Sequence, residues 1–316
     1  MSNLCISSVF DLKADFINHE GDVKDLLKEI PDEFVKLVVT SPPYNIGKTY
    51  EKKIKIEDYV KQQEEIIIEC VRVLDKSGSI CWQIGNFINK SEIIPLDILI
   101  FPIFHKLGLH LRNRIVWQFG HGLHASKRFS GRYEVILWFT KTNDYVFNLD
   151  SIRIPQKYPG KKYFKGPRKG ELSGNPLGKN PSDIWDIPNV KANHVEKTTH
   201  PCQFPVELVE RLVLSLTNPG DWVFDPFMGV GTSAIAALIH GRKAIGAEII
   251  HEYSRLATKR VHDAELGKLR IRPKERPVYD PKYKGIYLPP INIQLNKSGQ
   301  APLFEKRGVY KTGGKK

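Results

Sequence analysis

Two stretches of the chain hold residue types whose spacing could support chemistry. In "VVTSPPYNIGKTY" (residues 38–50) an apolar run stops against Ser41, Pro42, Pro43 and Tyr44. Neither proline can continue a helix or donate to a central sheet ladder. The chain must therefore leave a sheet here, stiffly, with a hydroxyl on one side and an aromatic ring on the other. An ordinary strand exit would also fit, although plain turns more usually carry Gly, Asp or Asn. The second stretch is "WVFDPFMGVGTSAIAALIHGRKAIGAEI". A predicted strand ends at Asp225, a loop with Gly229 and Gly231 opens a helix, and the next strand ends at Glu248. Glycines at such a turn let a ligand approach the backbone, and an acid about 20 residues on can hold ribose hydroxyls. The third glycine of a dinucleotide fingerprint is replaced by Thr232-Ser233, which argues against a pyrophosphate on the helix N-terminus. A nucleoside without phosphates, such as S-adenosylmethionine, fits the pattern better.

The elements needed to position these residues follow from periodicity. "FINHEGD" and "DEFVKLVVT" read as strands, the second running into the double proline. "EDYVKQQEEIIIECVRVLDKSG" reads as a helix with Val60, Ile67, Val71 and Leu74 on one face and Gly78 as its stop. "SICWQIG" is then a strand, so the unit is strand-helix-strand and its sheet parallel. Residues 92–107 read as helical despite Pro95 and Pro102, and "NRIVWQFG" and "YEVILWFTK" as strands around the loop "HGLHASKRFSGR". Val206, Val209, Val213 and Leu216 line one face of a further helix. "WVFDPF" and "KAIGAEI" are strands around "GTSAIAALIHG", and "HEYSRLATKRVHDAEL" is a last helix. Trp82, Trp117, Trp138 and Trp222 fall on strands and read as core.

The 316 residues carry a net charge of +13, which favours a polyanionic partner. Residues 151–180 hold eight Lys/Arg against one acid, with Tyr158, Tyr163 and Phe164 among them. Cations neutralise phosphates and aromatics stack on bases, while a solvated loop is the plain alternative. From residue 264 onward there are thirteen Lys/Arg against four acids. No run approaches the ~20 apolar residues of a membrane span, and the start lacks a secretory pattern. Cys5, Cys70, Cys81 and Cys202 lie far apart without metal-type pairing, as expected of reduced thiols in a cytoplasm. The His121/His124 pair lacks companion ligands, so no metal is expected.

Together, "TSPPYN", "DPFMGVGTS" and "HPCQFP" (residues 200–205) resemble the amino-methyltransferases of DNA, which act on N4 of cytosine or N6 of adenine. The catalytic motif precedes the cofactor loop, as in the permuted group called beta. The resemblance implies an α/β, Rossmann-like mixed sheet with helices on both faces and S-adenosyl-L-methionine as methyl donor. It divides the chain into a catalytic half (1–147), a target-recognition region (148–198), a cofactor-binding half (199–265) and a basic tail (266–316). It implies that Ser41 and the Pro42 carbonyl accept from the exocyclic amine, that Pro43 fixes that carbonyl, and that Tyr44 stacks on a base flipped out of the duplex. It places the cofactor against Asp22, Phe204, Asp225, Phe227, Gly229, Gly231, Thr232 and Glu248. Phe204 stands where many family members have lysine, which leaves no charged contact from that position. Lys161, Lys162, Lys165, Arg168, Lys169, Arg128 and Arg132 are the candidate contacts to double-stranded DNA, the last two equally able to cap a sheet edge. Serine at the first motif position favours cytosine N4, with adenine N6 as the alternative. RNA or protein-glutamine methylation, and a DNA-binding protein without catalysis, are further readings. Cys202 follows a proline, as does the nucleophile of cytosine-C5 enzymes, but its helix-opening setting and the absence of the companion Glu-Asn-Val motif make it structural or lining. A restriction-modification role, a separately encoded nuclease, a homodimer and a prokaryotic or phage cytoplasm complete the expectation.

Overall fold

The computed structural model describes residues 4–48, 51–120, 122 and 124–273. The chain opens with β1 (Ile6–Ser7) and β2 (Phe16–Glu20), then α1 (Val23–Glu29), whose N-cap Asp22 accepts from Lys24 N at 2.9 Å. After β3 (Val35–Thr40) come α2 (Ile56–Val73), β4 (Leu74–Ile84), the hairpin β5 (Asn86–Asn89) and β6 (Glu92–Pro95), and α3 (Leu96–Lys106). The long strands β7 (His110–Gln118) and β8 (Tyr133–Thr140) precede the short β9 (Ile184–Asp186). The chain then runs through α4 (Val206–Leu216), β10 (Trp222–Asp225), α5 (Thr232–Leu238), β11 (Lys243–Glu248) and α6 (His251–Glu265).

Nine strands form one sheet in the order β1-β2-β11-β10-β3-β4-β8-β7-β9. Only β8 runs against the rest, pairing antiparallel with both β4 and β7. Along β3 the side chains alternate between two cores. Val35 and Val38 join the cluster under α1–α3, and Leu37 and Val39 join the one under α4–α6. Burial on both faces explains why this strand reads as a continuous apolar run. All four tryptophans expected in the core are buried.

Several expectations shift in detail. The buried face of α2 is Tyr59, Gln63, Ile66, Ile67, Cys70 and Val73, because the Ile66-Ile67-Ile68 run hides the phase of the pattern. Leu74 already belongs to β4, so Gly78 is not a helix stop. A Cβ at Gly78 would lie 2.8 Å from Lys36 O and from Leu74 Cδ1, so glycine here allows the bulged approach of β4 to β3. Residues 92–95 are a hairpin strand rather than the first turn of a helix, which starts only after Pro95. β1 and β9 are too short to be visible as patterns. Among the described residues no helix is long and apolar enough to cross a membrane.

Strands β3 and β10 lie side by side at the centre, yet the chain leaves them in opposite directions across the sheet, β3 toward β4 and β10 toward β11. Such a switch point opens a crevice beyond the carboxyl ends of the strands. Both motif loops lie there.

Candidate active site

A cavity of about 1010 Å³ occupies this crevice. Ser41, Pro42, Pro43 and Tyr44, which leave β3, form one wall, and Phe227, Gly229, Thr232 and Glu248 from the β10–β11 unit form another. Asp22 and Phe204 also line it. The volume is at the top of the ~300–1,000 Å³ range of small-molecule sites, so it has room for a nucleoside and a base together.

The proline loop is held from below and from the side. Thr40 Oγ1 donates to Asp225 Oδ1 at 2.5 Å, joining the ends of the two central strands. Asn45, buried with φ +59°, donates through Nδ2 to Ile54 O (2.8 Å) and accepts from Ile54 N (2.7 Å). Glu51 accepts from the backbone N–H groups of Asn45 and Ile46, each at 2.8 Å. Gly85 leaves space for the Tyr44 ring, whose Cε2 would be 2.9 Å from a Cβ there. The Tyr44 hydroxyl lies 3.1 Å from Ser41 Oγ and donates to Glu134 Oε2 at 3.2 Å. Gln83 Nε2 also donates to Glu134 Oε2. Burial pushes the Glu134 carboxyl above the ordinary carboxylate range, against the pull of the Gln83 and Tyr44 hydrogen bonds, and pushes the Tyr44 hydroxyl well up.

On the opposite wall Glu248 is oriented by two backbone donors, Gly229 N to Oε2 at 2.9 Å and Ile250 N to Oε1 at 2.8 Å. Each oxygen keeps a lone pair for a further donor, as a ribose diol requires. Desolvation raises the Glu248 pKa. Among the cofactor candidates Asp225 and Gly231 do not face the cavity. The Asp225 carboxylate accepts from Thr40, from Ser233 Oγ at 2.6 Å and from Phe227 N at 3.1 Å, so its capacity goes to shaping the loop. Burial lifts its pKa to about 6 despite those three bonds. Gly231, at φ +76°, is the N-cap of α5 and packs on α6, where a Cβ would meet the Ala257 Cβ at 2.9 Å. Gly229, at φ +55°, does border the cavity, with His200 about 3.5 Å from where its Cβ would be.

Gln83, Glu134 and Arg260 carry no local sequence signal, whereas His200 and Cys202 lie in the "HPCQFP" stretch. Gln83 at the end of β4 and Glu134 at the start of β8 line the cavity. Arg260, buried on α6, donates to Val230 O and to Thr232 Oγ1, pinning the loop from behind. His200 lines the cavity edge-on to Tyr253, with its pKa lowered to about 4 by burial and by Lys197 and Arg260. Cys202 also lines it.

The basic candidates lie apart from the cavity walls. Ile154 and Lys179 pair at the base of an antiparallel arm, and Lys162 pairs with Leu172 further out. The tip, between Tyr163 and Gly170, holds Phe164, Lys165, Arg168 and Lys169 exposed. The Arg168 guanidinium lies 4.9 Å from the Tyr163 ring centre and pairs with Glu171 at 2.8 Å. Lys161 and Arg128 are exposed, and Arg132 is half-buried at the foot of the β7–β8 loop. His121, and the tail from residue 274, lie outside the described residues. Among the described residues no cluster of ligating side chains could hold a metal ion.

Residues 35–259 match the family described as DNA methylase, spanning both walls of the cavity. The chain belongs to this family. It is 56% identical over 240 residues to the Type II methyltransferase M.BglII of Bacillus subtilis, covering 76% of this chain and 67% of the relative. It is 35% identical to the DNA adenine methyltransferase YhdJ of Escherichia coli K12, covering 85% and 92% of the two chains. Among solved structures, TTHA0409 of Thermus thermophilus in complex with S-adenosyl-L-methionine superposes with a TM-score of 0.55. It is 29% identical and covers 77% of this chain and 92% of that one. The PvuII DNA methyltransferase, described as cytosine-N4-specific, shares the fold at a TM-score of 0.62 and 21% identity, over 77% and 85% of the chains. The protein is a DNA methyltransferase, and S-adenosyl-L-methionine is its methyl donor. The site fits that donor: a carboxylate with spare acceptor capacity at Glu248 and apolar faces at Phe227 and Phe204.

Proposed function

We propose that the protein methylates the exocyclic N4 amine of a cytosine flipped out of double-stranded DNA, within a restriction-modification system. The observation that carries this reading is the sharing of one cavity by the Ser41–Tyr44 loop and the Glu248–Gly229 wall. An exocyclic amine is a poor nucleophile because its lone pair is delocalised into the ring. Acceptors that hold its hydrogens out of the ring plane restore that lone pair as bond formation begins. Ser41 Oγ and the Pro42 carbonyl are two such acceptors on a loop that the double proline and the Thr40–Asp225 bond hold still. The Tyr44 ring offers a stacking face for the extruded base, worth about 1–3 kcal/mol. Glu248 holds the ribose, and Phe227 and Phe204 pack against the donor. The donor supplies an electrophilic methyl, and the chain contributes position and acceptors with no covalent enzyme intermediate.

Serine as first acceptor supports cytosine N4, and the Type II relatives support a modification role. Adenine N6 is the second reading, favoured by the 35% identity to a relative named as an adenine methyltransferase. Mass spectrometry of nucleosides from unmethylated DNA treated with the protein and S-adenosyl-L-methionine separates them. N4-methylcytosine is expected. N6-methyladenine would overturn the choice of base, and methylation of RNA alone would overturn the substrate class.

A further inference from the structure

The hydrogen-bond chain behind Ser41 has a direction. Glu134 Oε2 receives both Gln83 Nε2 and the Tyr44 hydroxyl. An ionised carboxylate can only accept, so the Tyr44 proton points at Glu134. The Tyr44 oxygen is then free to accept from Ser41 Oγ, 3.1 Å away. With its own proton committed inward, Ser41 turns lone pairs toward the cavity. The same three groups form a continuous path from the cavity surface to a carboxylate in the protein wall.

We infer that Glu134 is the terminal proton acceptor of the methyl transfer, reached from the target amine through Ser41 and Tyr44. This rests on the proposed reading of the site. As the amine nitrogen bonds to the methyl carbon, the carbon–sulfur bond breaks and leaves its electron pair on sulfur. The nitrogen then carries one proton in excess. That proton passes to Ser41 Oγ, the serine proton passes to the Tyr44 oxygen, and the tyrosine proton passes to Glu134 Oε2. The methylated base leaves neutral, Ser41 and Tyr44 are regenerated, and Glu134 ends as the acid, to be deprotonated by water once the product has left. Of the other carboxylates on the cavity, Glu248 accepts from Gly229 and Ile250, Glu51 from the loop, and Asp22 and Glu65 from Lys24, and none of these four has a hydrogen bond to Ser41 or Tyr44. His200, with its pKa near 4, is a weak acceptor. The ionisable groups acting on Glu134 are Tyr44, from the loop after β3, and Lys191, from the segment after β9, while Gln83 of β4 is neutral. Desolvation raises the Glu134 pKa, which suits a group that must take a proton and later release it.

The test is single-turnover methylation of DNA by the full chain across pH, in wild type, Glu134→Gln and Tyr44→Phe. Glutamine keeps the shape, and its carbonyl can still accept from Tyr44, but it takes no proton. The expected result is a rate lower by about 100-fold or more in both variants, with dissociation constants for S-adenosyl-L-methionine and DNA within about threefold of wild type. The wild-type rate falls as pH drops through the raised Glu134 pKa, and this limb is absent in both variants. The double variant is no slower than either single one, since each breaks the same path. If Glu134→Gln keeps the wild-type rate and its acidic limb, Glu134 merely braces Tyr44 and the relay is wrong. If wild type itself methylates no DNA, the proposed function fails, and the relay with it.

Discussion

A serine hydroxyl is a directed acceptor only when its own proton is committed elsewhere. On the proposed reading Ser41 commits its proton to the Tyr44 oxygen 3.1 Å away, and removing the hydroxyl would remove one of two acceptors on the amine. Ser41→Ala is expected to lower the single-turnover rate by about 10²–10³-fold, the usual loss for one preorganised polar contact to a transition state. Calorimetry should find its affinity for S-adenosyl-L-methionine unchanged, because Glu248 and Phe227 stand on the other wall. A rate within a few-fold of wild type would remove Ser41 from the chemistry. Ser41 and Tyr44 were legible as cavity residues because they flank the double proline just after a strand, and Glu248 because it ends the strand that follows the glycine loop. Glu134 and Gln83 were not. Glu134 sits 90 residues from Tyr44 and 51 from Gln83, both lie in strands whose patterns are ordinary, and only pairing of β4 with β8 brings them together.

At the scale of elements, Gly229 and Gly231 look alike in the sequence and do different things. Both have positive φ, but Gly229 opens on the cavity whereas Gly231 lets α5 lie against Ala257 of α6. An alanine at either position pays the left-handed penalty of about 1–2 kcal/mol. At Gly231 it also meets Ala257 Cβ at 2.9 Å and Cα at 3.2 Å. Urea unfolding should therefore show Gly231→Ala more destabilised than Gly229→Ala, with partial recovery when Ala257→Gly is added. Equal losses, or no recovery, would place the strain elsewhere. The helices α2, α4 and α6 were legible from the sequence, but the seven-residue α1 (Val23–Glu29) was not, and β3 read as a buried strand from its unbroken apolar run. The arm at 154–179 was legible only as charge, because its pairing rests on isolated bridges and backbone bonds such as Tyr163 N to Glu171 O at 2.9 Å. At its tip Lys165 and Lys169 are exposed, while Arg168 is engaged with Tyr163 and Glu171. Replacing both lysines by alanine should flatten the salt dependence of DNA binding by up to about 2 in slope, about 0.9 for each phosphate no longer neutralised. The methylation rate at saturating DNA should stay as in wild type. An unchanged slope would take the arm off the DNA backbone.

Across the whole molecule, buried ionisable groups join segments distant in the chain and make stability depend on pH in opposing directions. Glu196 accepts from Val206 N and from Arg272 N, each at 2.9 Å, so one carboxylate ties the segment after β9 to the start of α4 and to the end of the described chain. Burial lifts its pKa from 4.5 to about 7, and that of Asp225 from 3.8 to about 6. In that window the folded state holds more protons than the unfolded one, so these two groups lower stability as pH rises through it. His194 and His200 do the reverse. Burial lowers both from 6.5 to about 4, so the unfolded state binds the extra protons and stability is lost as pH falls through that range. Chemical unfolding at several pH values isolates each contribution. Glu196→Gln, whatever its fixed cost in packing, should gain on wild type as pH rises from about 4.5 to about 7. The gain is at most about 3 kcal/mol, from 1.36 kcal/mol per unit of pKa. His200→Asn should show the opposite trend, losing ground to wild type as pH rises over about 4 to 6.5. A Glu196→Gln difference that does not change with pH would mean that the carboxylate stays hydrated in the folded protein.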